Sequence, residues 1–145
     1  GLASTVYLIT LSILQIIFSY KFNPKDRLWM LWLGTGIIAF VPIGYIFSTS
    51  IWHLFLAEFV YGIGAAFAYP SWSSLFTANL EKGKRGFQYS IYSSGLGIGT
   101  AITAAVGGFI AEKIGFKFVF MLTSLLAVIG LFILFRLNKK ILRKT

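Results

Sequence analysis

The chain has 145 residues, 57% of them hydrophobic and only 12% charged, with a formal charge of +9 and a mean hydropathy of +0.82. Soluble domains carry about 25% charged residues, so the deficit points to lipid rather than water as the main solvent. With no cysteine there is no disulfide framework, thiolate metal site or cysteine nucleophile, and a lone histidine, His53, argues against a histidine-based zinc site or triad.

A membrane-spanning helix needs about 20 mostly apolar residues, and five such runs follow one another. The first, 2–20, carries Ser4, Thr5, Tyr7, Thr10, Ser12 and Gln15. It begins straight after Gly1 with no basic segment before it, so it is expected to be a span of a longer chain rather than a signal peptide. The connector KFNPKDR leads to the second run, 28–48, which has few polar residues beyond Thr35, Tyr45 and Ser48. A short TS link opens the third, 51–78, which contains the carboxylate Glu58 together with Tyr61, Tyr69, Trp72, Ser71, Ser73 and Ser74. After LEKGKRG comes the fourth, 86–111, with Gln88, Tyr89, Ser90, Tyr92, Ser93, Ser94, Thr100 and Thr103. The turn KIGF leads to the fifth, 116–137, where Thr123 and Ser124 are the main polar groups, and a basic tail, 138–145, ends the chain. Barrel strands are about ten residues of alternating polarity; these runs are longer and do not alternate. The expected fold is an all-α membrane protein, a five-helix bundle over 1–137 followed by the tail.

The positive charge is grouped on alternate connectors, as in membrane loops rather than a nucleic-acid surface. Lys21, Lys25 and Arg27 lie between the first and second runs, and Lys82, Lys84 and Arg85 between the third and fourth. Arg136, Lys139, Lys140, Arg143 and Lys144 lie at the end. The opposite side has only Lys113 and Lys117. The positive-inside rule then places those loops and the C-terminus in the cytoplasm, in a multi-pass protein of the cell (inner) membrane. A five-span chain that starts outside is what remains when one preceding helix is missing.

Polar groups in hydrocarbon need partners or water. The first, third and fourth runs are therefore expected to face protein or a cavity, and the second and fifth to face lipid. The plainer account is that serines and threonines bond back to their own helix carbonyls.

Gly95, Gly99, Thr103 and Gly107 recur every four residues and share one face of the fourth run, with Gly97 and Gly108 off that stripe. Small residues at this spacing let helices approach closely. In the third run Gly62 and Ala66 form a similar pair beside Gly64, and Pro70 removes a backbone hydrogen bond and favours a kink. Tight packing and hinge bending both explain such glycines.

Glu58 lies seven residues past Ile51, about 10 Å deep at 1.5 Å per residue. A charge at depth costs at least about 2.5–3.5 kcal/mol on insertion scales. Three readings stand: a proton-coupling carboxylate, a substrate contact, or a protonated acid hydrogen-bonded to a neighbouring helix, with Thr100, Thr103 or a water in the cavity within its reach. Tyr61, Ala65, Tyr69 and Trp72 share its face at helical spacing. Beside a carboxylate such a stripe suits a pocket for cations or sugars, although aromatic stripes also simply fill cores.

The stretch GIGAAFAYPSW…EKGKRG…GLGIGTAITAAVGGFIAEKIGFKFVF resembles the later part of a major facilitator superfamily transporter: a glycine-rich helix with a proline, a short basic loop, a helix ending in Gly-Gly and an aromatic start to the next. The likeness is close over about 56–122 and rests on hydropathy elsewhere. Lys21, Lys25 and Arg27 match the family's basic loop, with Asn23 in place of the turn glycine. Gly99, Gly107 and Gly108 match its glycine-proline helix, with Thr103 and Ala104 in place of its Gly-Pro pair. The resemblance implies that the five runs are helices eight to twelve, the runner-up being two to six, and that the N-terminal half of the same transporter is the absent partner. It implies that the first, third and fourth runs line the cavity, with Glu58, Tyr61, Tyr69, Trp72, Gln88, Tyr92, Thr5 and Gln15 as lining candidates and Glu58 as the proton-coupling candidate.

The function expected is transport of a small-molecule substrate by alternating access, with no cofactor, no metal, no nucleic acid and no covalent catalysis. The alternatives are a non-transporting membrane scaffold or binding protein, and then a membrane-embedded enzyme. Against an enzyme, Asp26, Glu81 and Glu112 sit in loops or at helix ends, and no two carboxylates have metal-ligand spacing.

Overall fold

The structure, a computed structural model, describes residues 1–22 and 28–136. Most of the first basic loop, with Lys25 and Arg27, and the basic tail lie outside the described residues. Among the described residues there are five helices and no strand: α1 (Leu2–Lys21), α2 (Leu28–Ile46), α3 (Ile51–Ala78), α4 (Arg85–Lys113) and α5 (Phe116–Arg136). All five are long and apolar enough to cross a membrane. A helix satisfies its own backbone groups, and hydrocarbon has no water to do so instead.

Helix ends follow local chemistry. α2 stops at Ile46, two residues before the end read from hydropathy, because Ser48 and Ser50 are drawn into the turn. There the Ser48 hydroxyl bonds the Gly44 carbonyl at 2.9 Å, and Ser50 caps α3 by accepting the His53 amide hydrogen at 3.5 Å. α4 runs two residues past the expected 111 and ends against Gly115, whose φ of +108° suits glycine; its N–H reaches the Ile110 carbonyl at 3.3 Å.

Helix α3 is the centre of the bundle, with α1 on one side and α2 on another, and α5 covers the far side of α2. Small residues make this possible. At Gly34 of α2, a Cβ would stand 2.5 Å from the backbone of both Gly64 and Ala68 of α3. At Gly62 of α3 it would stand 2.7 Å from the Thr10 side chain of α1. Ala65 and Ala66 of α3 are fully buried beside these glycines. Gly62 and Gly64 are thus packing positions in this bundle. Pro70 sits inside α3, whose helix continues through it to Ala78, and a second proline, Pro42, sits inside α2. α5 is fastened to α2 by a buried hydrogen bond from the Ser124 hydroxyl to the Ala39 carbonyl, 2.9 Å, and by ring contacts of Phe135 with Trp32 and of Phe120 with Tyr45.

α2, expected to face lipid, keeps one exposed apolar stripe that includes Trp29 and Ile43 and packs its other sides on protein. α2 buries Met30, Leu31, Gly34, Ala39, Val41 and Pro42, and leaves mainly Leu33, Phe40 and Phe47 outward. The rest of its apolar surface is covered by protein, and a lack of polar groups does not distinguish a face covered by helices from one covered by acyl chains. α4 is the converse: it packs on α5 yet contains no buried residue, and nothing lies within 4 Å of a Cβ built at Gly95, Gly97, Gly99, Gly107 or Gly108.

Candidate functional site

Glu58 lies in the second turn of α3, at the end of the bundle that carries the α2–α3 turn. The groups near it are tyrosines of three helices, Tyr45 of α2, Tyr7 of α1 and Tyr61 of α3. No hydrogen bond joins Glu58 to α4 among the described residues. Thr103 there bonds back to the Gly99 carbonyl at 2.7 Å, as Ser90 does to Gly86 and Thr123 to Val119 in α5. The local back-bonding account therefore holds for these hydroxyls.

Around Glu58 the tyrosines form one group across three helices. Tyr61, one turn further along α3, stacks on Tyr7 of α1 with ring centroids 4.5 Å apart. The Tyr7 hydroxyl donates to the Tyr69 hydroxyl at 3.4 Å. The helical spacing of Glu58, Tyr61 and Tyr69 thus sets the three along one side of α3. Tyr7 and Tyr45 were not among the residues singled out from sequence. Depth would have found them: Tyr7 is near the start of α1, Tyr45 near the end of α2 and Glu58 near the start of α3, so antiparallel spans bring all three to one level.

Tyr45 and Tyr61 also line a cavity of about 220 Å³ between α2, α3 and α5. Its other walls are Ile38, Val41, Pro42, Val119, Phe120, Thr123 and Ala127. It is apolar over most of its surface, with hydroxyls where the two tyrosines and Thr123 stand.

A second cluster joins the other end of α3 to α4. The Trp72 indole N–H donates to the Tyr92 hydroxyl at 2.6 Å, and Phe76 packs against Tyr92 with centroids 4.3 Å apart. Gln88 accepts the Glu81 amide hydrogen at 2.9 Å and so ties the connecting loop to α4, beside the exposed ion pair of Glu81 with Lys84. Tyr69 and Trp72 remain 45% and 41% exposed on the side of α3 between the two clusters. The lining candidates therefore divide: Glu58, Tyr61 and Tyr69 in one group, Trp72, Gln88 and Tyr92 in the other. Thr5 is exposed and turns its hydroxyl back to the Gly1 carbonyl at 3.4 Å, and Gln15 is half-buried midway along α1. Lys21 closes α1, exposed, at the edge of the first basic loop.

The family model for the Major Facilitator Superfamily matches residues 1–145. A membrane sensor protein, UhpC of Salmonella typhimurium, is 23% identical over 97% of this chain and 32% of its own length. A voltage-gated purine nucleotide uniporter of Mus musculus is 28% identical over 74% of this chain and 22% of its own length. The chain thus spans about a third or less of the curated relatives it matches. No solved structure matches it.

Proposed function

The chain belongs to the Major Facilitator Superfamily, and on that premise we propose that it is part of a non-enzymatic secondary transporter that moves a small solute by alternating access. The supporting observation is α4. It is long enough to span the bilayer, buries no residue, and presents Ser93, Ser94, Thr100 and open glycines with no neighbour. Such a face in hydrocarbon needs protein or a water-filled path over it. The remainder of the same transporter is its partner in this reading, with the five helices as eight to twelve and the basic loops in the cytoplasm. Tyr69, Trp72, Gln88, Tyr92, Thr5 and Gln15 then line the solute path. Glu58 acts from the α2–α3 seam, where a change in its protonation is felt by two helices at once.

Counterflow in proteoliposomes tests this. The full-length protein should exchange at least one solute from a panel of sugars, amines, amino acids and organic acids. Tyr92→Ala and Trp72→Ala should lower that exchange, since both residues border the path and join α3 to α4.

A second reading is a membrane sensor that binds solute without moving it, favoured by the likeness to the Salmonella sensor protein. Solute-dependent thermal stabilisation with no counterflow would select it. Between Leu28 and Leu80 there is no Lys or Arg. If the solute is anionic, as for the nucleotide named in the mouse relative, its charge must be met by another part of the protein.

A further inference from the structure

A groove of about 620 Å³ runs between α2 and α3. Phe40 and Phe47 wall it on α2, and Leu56 and Val60 on α3. Between the walls Gly44 faces Ala57, where a Cβ on the glycine would stand 3.8 Å from the alanine Cβ. The groove is open sideways: Phe40, Phe47 and Leu56 are 61%, 74% and 62% exposed. It continues the exposed apolar stripe of α2 that includes Trp29, Leu33 and Ile43.

Its depth fits an acyl chain rather than another helix. From Phe47 to Ile37, α2 rises about 15 Å at 1.5 Å per residue, half of the roughly 30 Å hydrocarbon core. Beyond Ile37 the groove is shut. A Cβ on Gly64 would stand 2.9 Å from an Ile37 methyl, and at Gly34 the two helices meet backbone to backbone. The groove is therefore one leaflet deep and closed near the midplane. A spanning helix crosses both leaflets and would find a seat along only half its length, whereas an acyl chain ends at the midplane. The walls carry no hydroxyl, amide or charge apart from His53, in contrast to the hydroxyls and open glycines of α4.

His53 stands at the water end of the groove, in the first turn of α3. Its neighbour Trp52 is 74% exposed, and tryptophan is enriched at headgroup level. The Thr49 backbone N–H reaches His53 Nδ1 at 3.3 Å, and an amide N–H can only donate. Nδ1 is therefore the acceptor, and the ring carries its proton on Nε2. Among the described residues Nε2 makes no hydrogen bond. A phosphate oxygen at headgroup level is a strong acceptor for that N–H.

We propose that this groove is a binding site for a glycerophospholipid of the leaflet at the α2–α3 turn. One acyl chain lies along Gly44 and Ala57, and the phosphodiester accepts from His53 Nε2. The site rests neither on the solute path proposed above nor on any role of Glu58.

The test is photolabelling of the full-length protein in detergent. The probe is a phosphatidylcholine with a diazirine midway along one acyl chain, added in increasing amounts, and the adducts are mapped by mass spectrometry. Label at Phe40, Leu56 and Val60 should saturate. Diacylglycerol with the same labelled chain, which lacks the phosphate, should need about tenfold more to reach half-saturation, as one hydrogen bond to a charged group implies. His53→Phe should raise the half-saturation for phosphatidylcholine by about the same factor, and His53→Gln, which keeps an N–H donor, should restore most of it. Ala57→Phe should abolish the saturable label by filling the groove. If a variant does not fold, the two probes on the wild-type protein still decide the role of the phosphate. Absence of label in the groove while other helices are labelled would mean that another span covers it, and would overturn the proposal. So would equal half-saturation for the two lipids, saturable label that survives Ala57→Phe, or tighter labelling by a free fatty acid carrying the same diazirine. Counterflow reports on transport separately, so the two readings fail independently.

Discussion

A Cβ placed on Gly34 would stand 2.5 Å from the Gly64 carbonyl oxygen, so α2 and α3 meet backbone to backbone at this pair. The two nearest of the three obstacles at Gly34, the Gly64 oxygen and the Ala68 nitrogen, are main-chain atoms that cannot turn aside, and the third is the Ala68 Cβ. At Gly64 the nearest obstacle is a methyl of Ile37, at 2.9 Å, which can move. Gly34→Ala should therefore cost about 1–3 kcal/mol by overpacking, and Gly64→Ala less. Thermal unfolding of the two variants in detergent checks the order, and a wild-type melting curve for Gly34→Ala would show that the helices are not in contact there.

The glycines of α4 should behave in the opposite way. Gly99→Ala meets nothing within 4 Å in this chain and replaces a poor helix former, so it should be neutral or stabilising by up to about 1 kcal/mol in the contacts seen here. If another span of the transporter covers the Gly95–Gly99–Thr103 stripe, Gly99→Leu should lower counterflow strongly. Unimpaired transport by Gly99→Leu would show that the stripe faces lipid.

The Ser124 hydroxyl is the buried link between α5 and α2. Interhelical hydrogen bonds in membranes average about 0.6 kcal/mol, so Ser124→Ala should lower stability by roughly that amount. Ser124→Val, which adds a methyl at a site only 6% exposed, should cost more. Melting temperatures of the two variants give the comparison.

Glu58→Gln retains an acceptor for Tyr45 and should fold like the wild type. Glu58→Leu leaves the polar groups around it without a partner and should lose about 1–3 kcal/mol, seen as a lower folded yield. If Glu58 couples protons, the Gln variant should retain solute exchange and lose pH-driven accumulation. Wild-type pH-driven accumulation in that variant would remove the coupling role.

Orientation is testable because the chain has no cysteine. Thr49→Cys, in the α2–α3 turn, should react with an impermeant maleimide on intact cells. Lys82→Cys, in the basic α3–α4 loop, should react only after the membrane is opened. The reverse pattern would invert the topology.

Five spans and no strand could be read from the sequence, because length and apolarity are properties of each segment alone. So could the crowding at Gly62 and Gly64, since small residues at helical spacing record how near another backbone can come. Helix ends were legible to within two residues, the error at α2 arising where serines bond to the turn instead of extending the helix.

Side-chain partnership across helices was not legible. Glu58 was picked out by its cost in hydrocarbon, a local fact, but the approach of Tyr45 depends on which face of α2 turns inward. α2 offers no polar stripe to show that face, and Gly34 decides it by allowing α2 to lie against Gly64 and Ala68. The same choice brings Pro42, Tyr45 and Val41 opposite Phe120 and Thr123 and leaves the cavity between them. The sequence alone determined that this chain lives in a membrane as helices, because every residue contributes to that free energy independently. Only the tertiary structure decided which tyrosines surround the acid, because that depends on helix rotation and close approach, and these are set jointly by residues far apart in the chain.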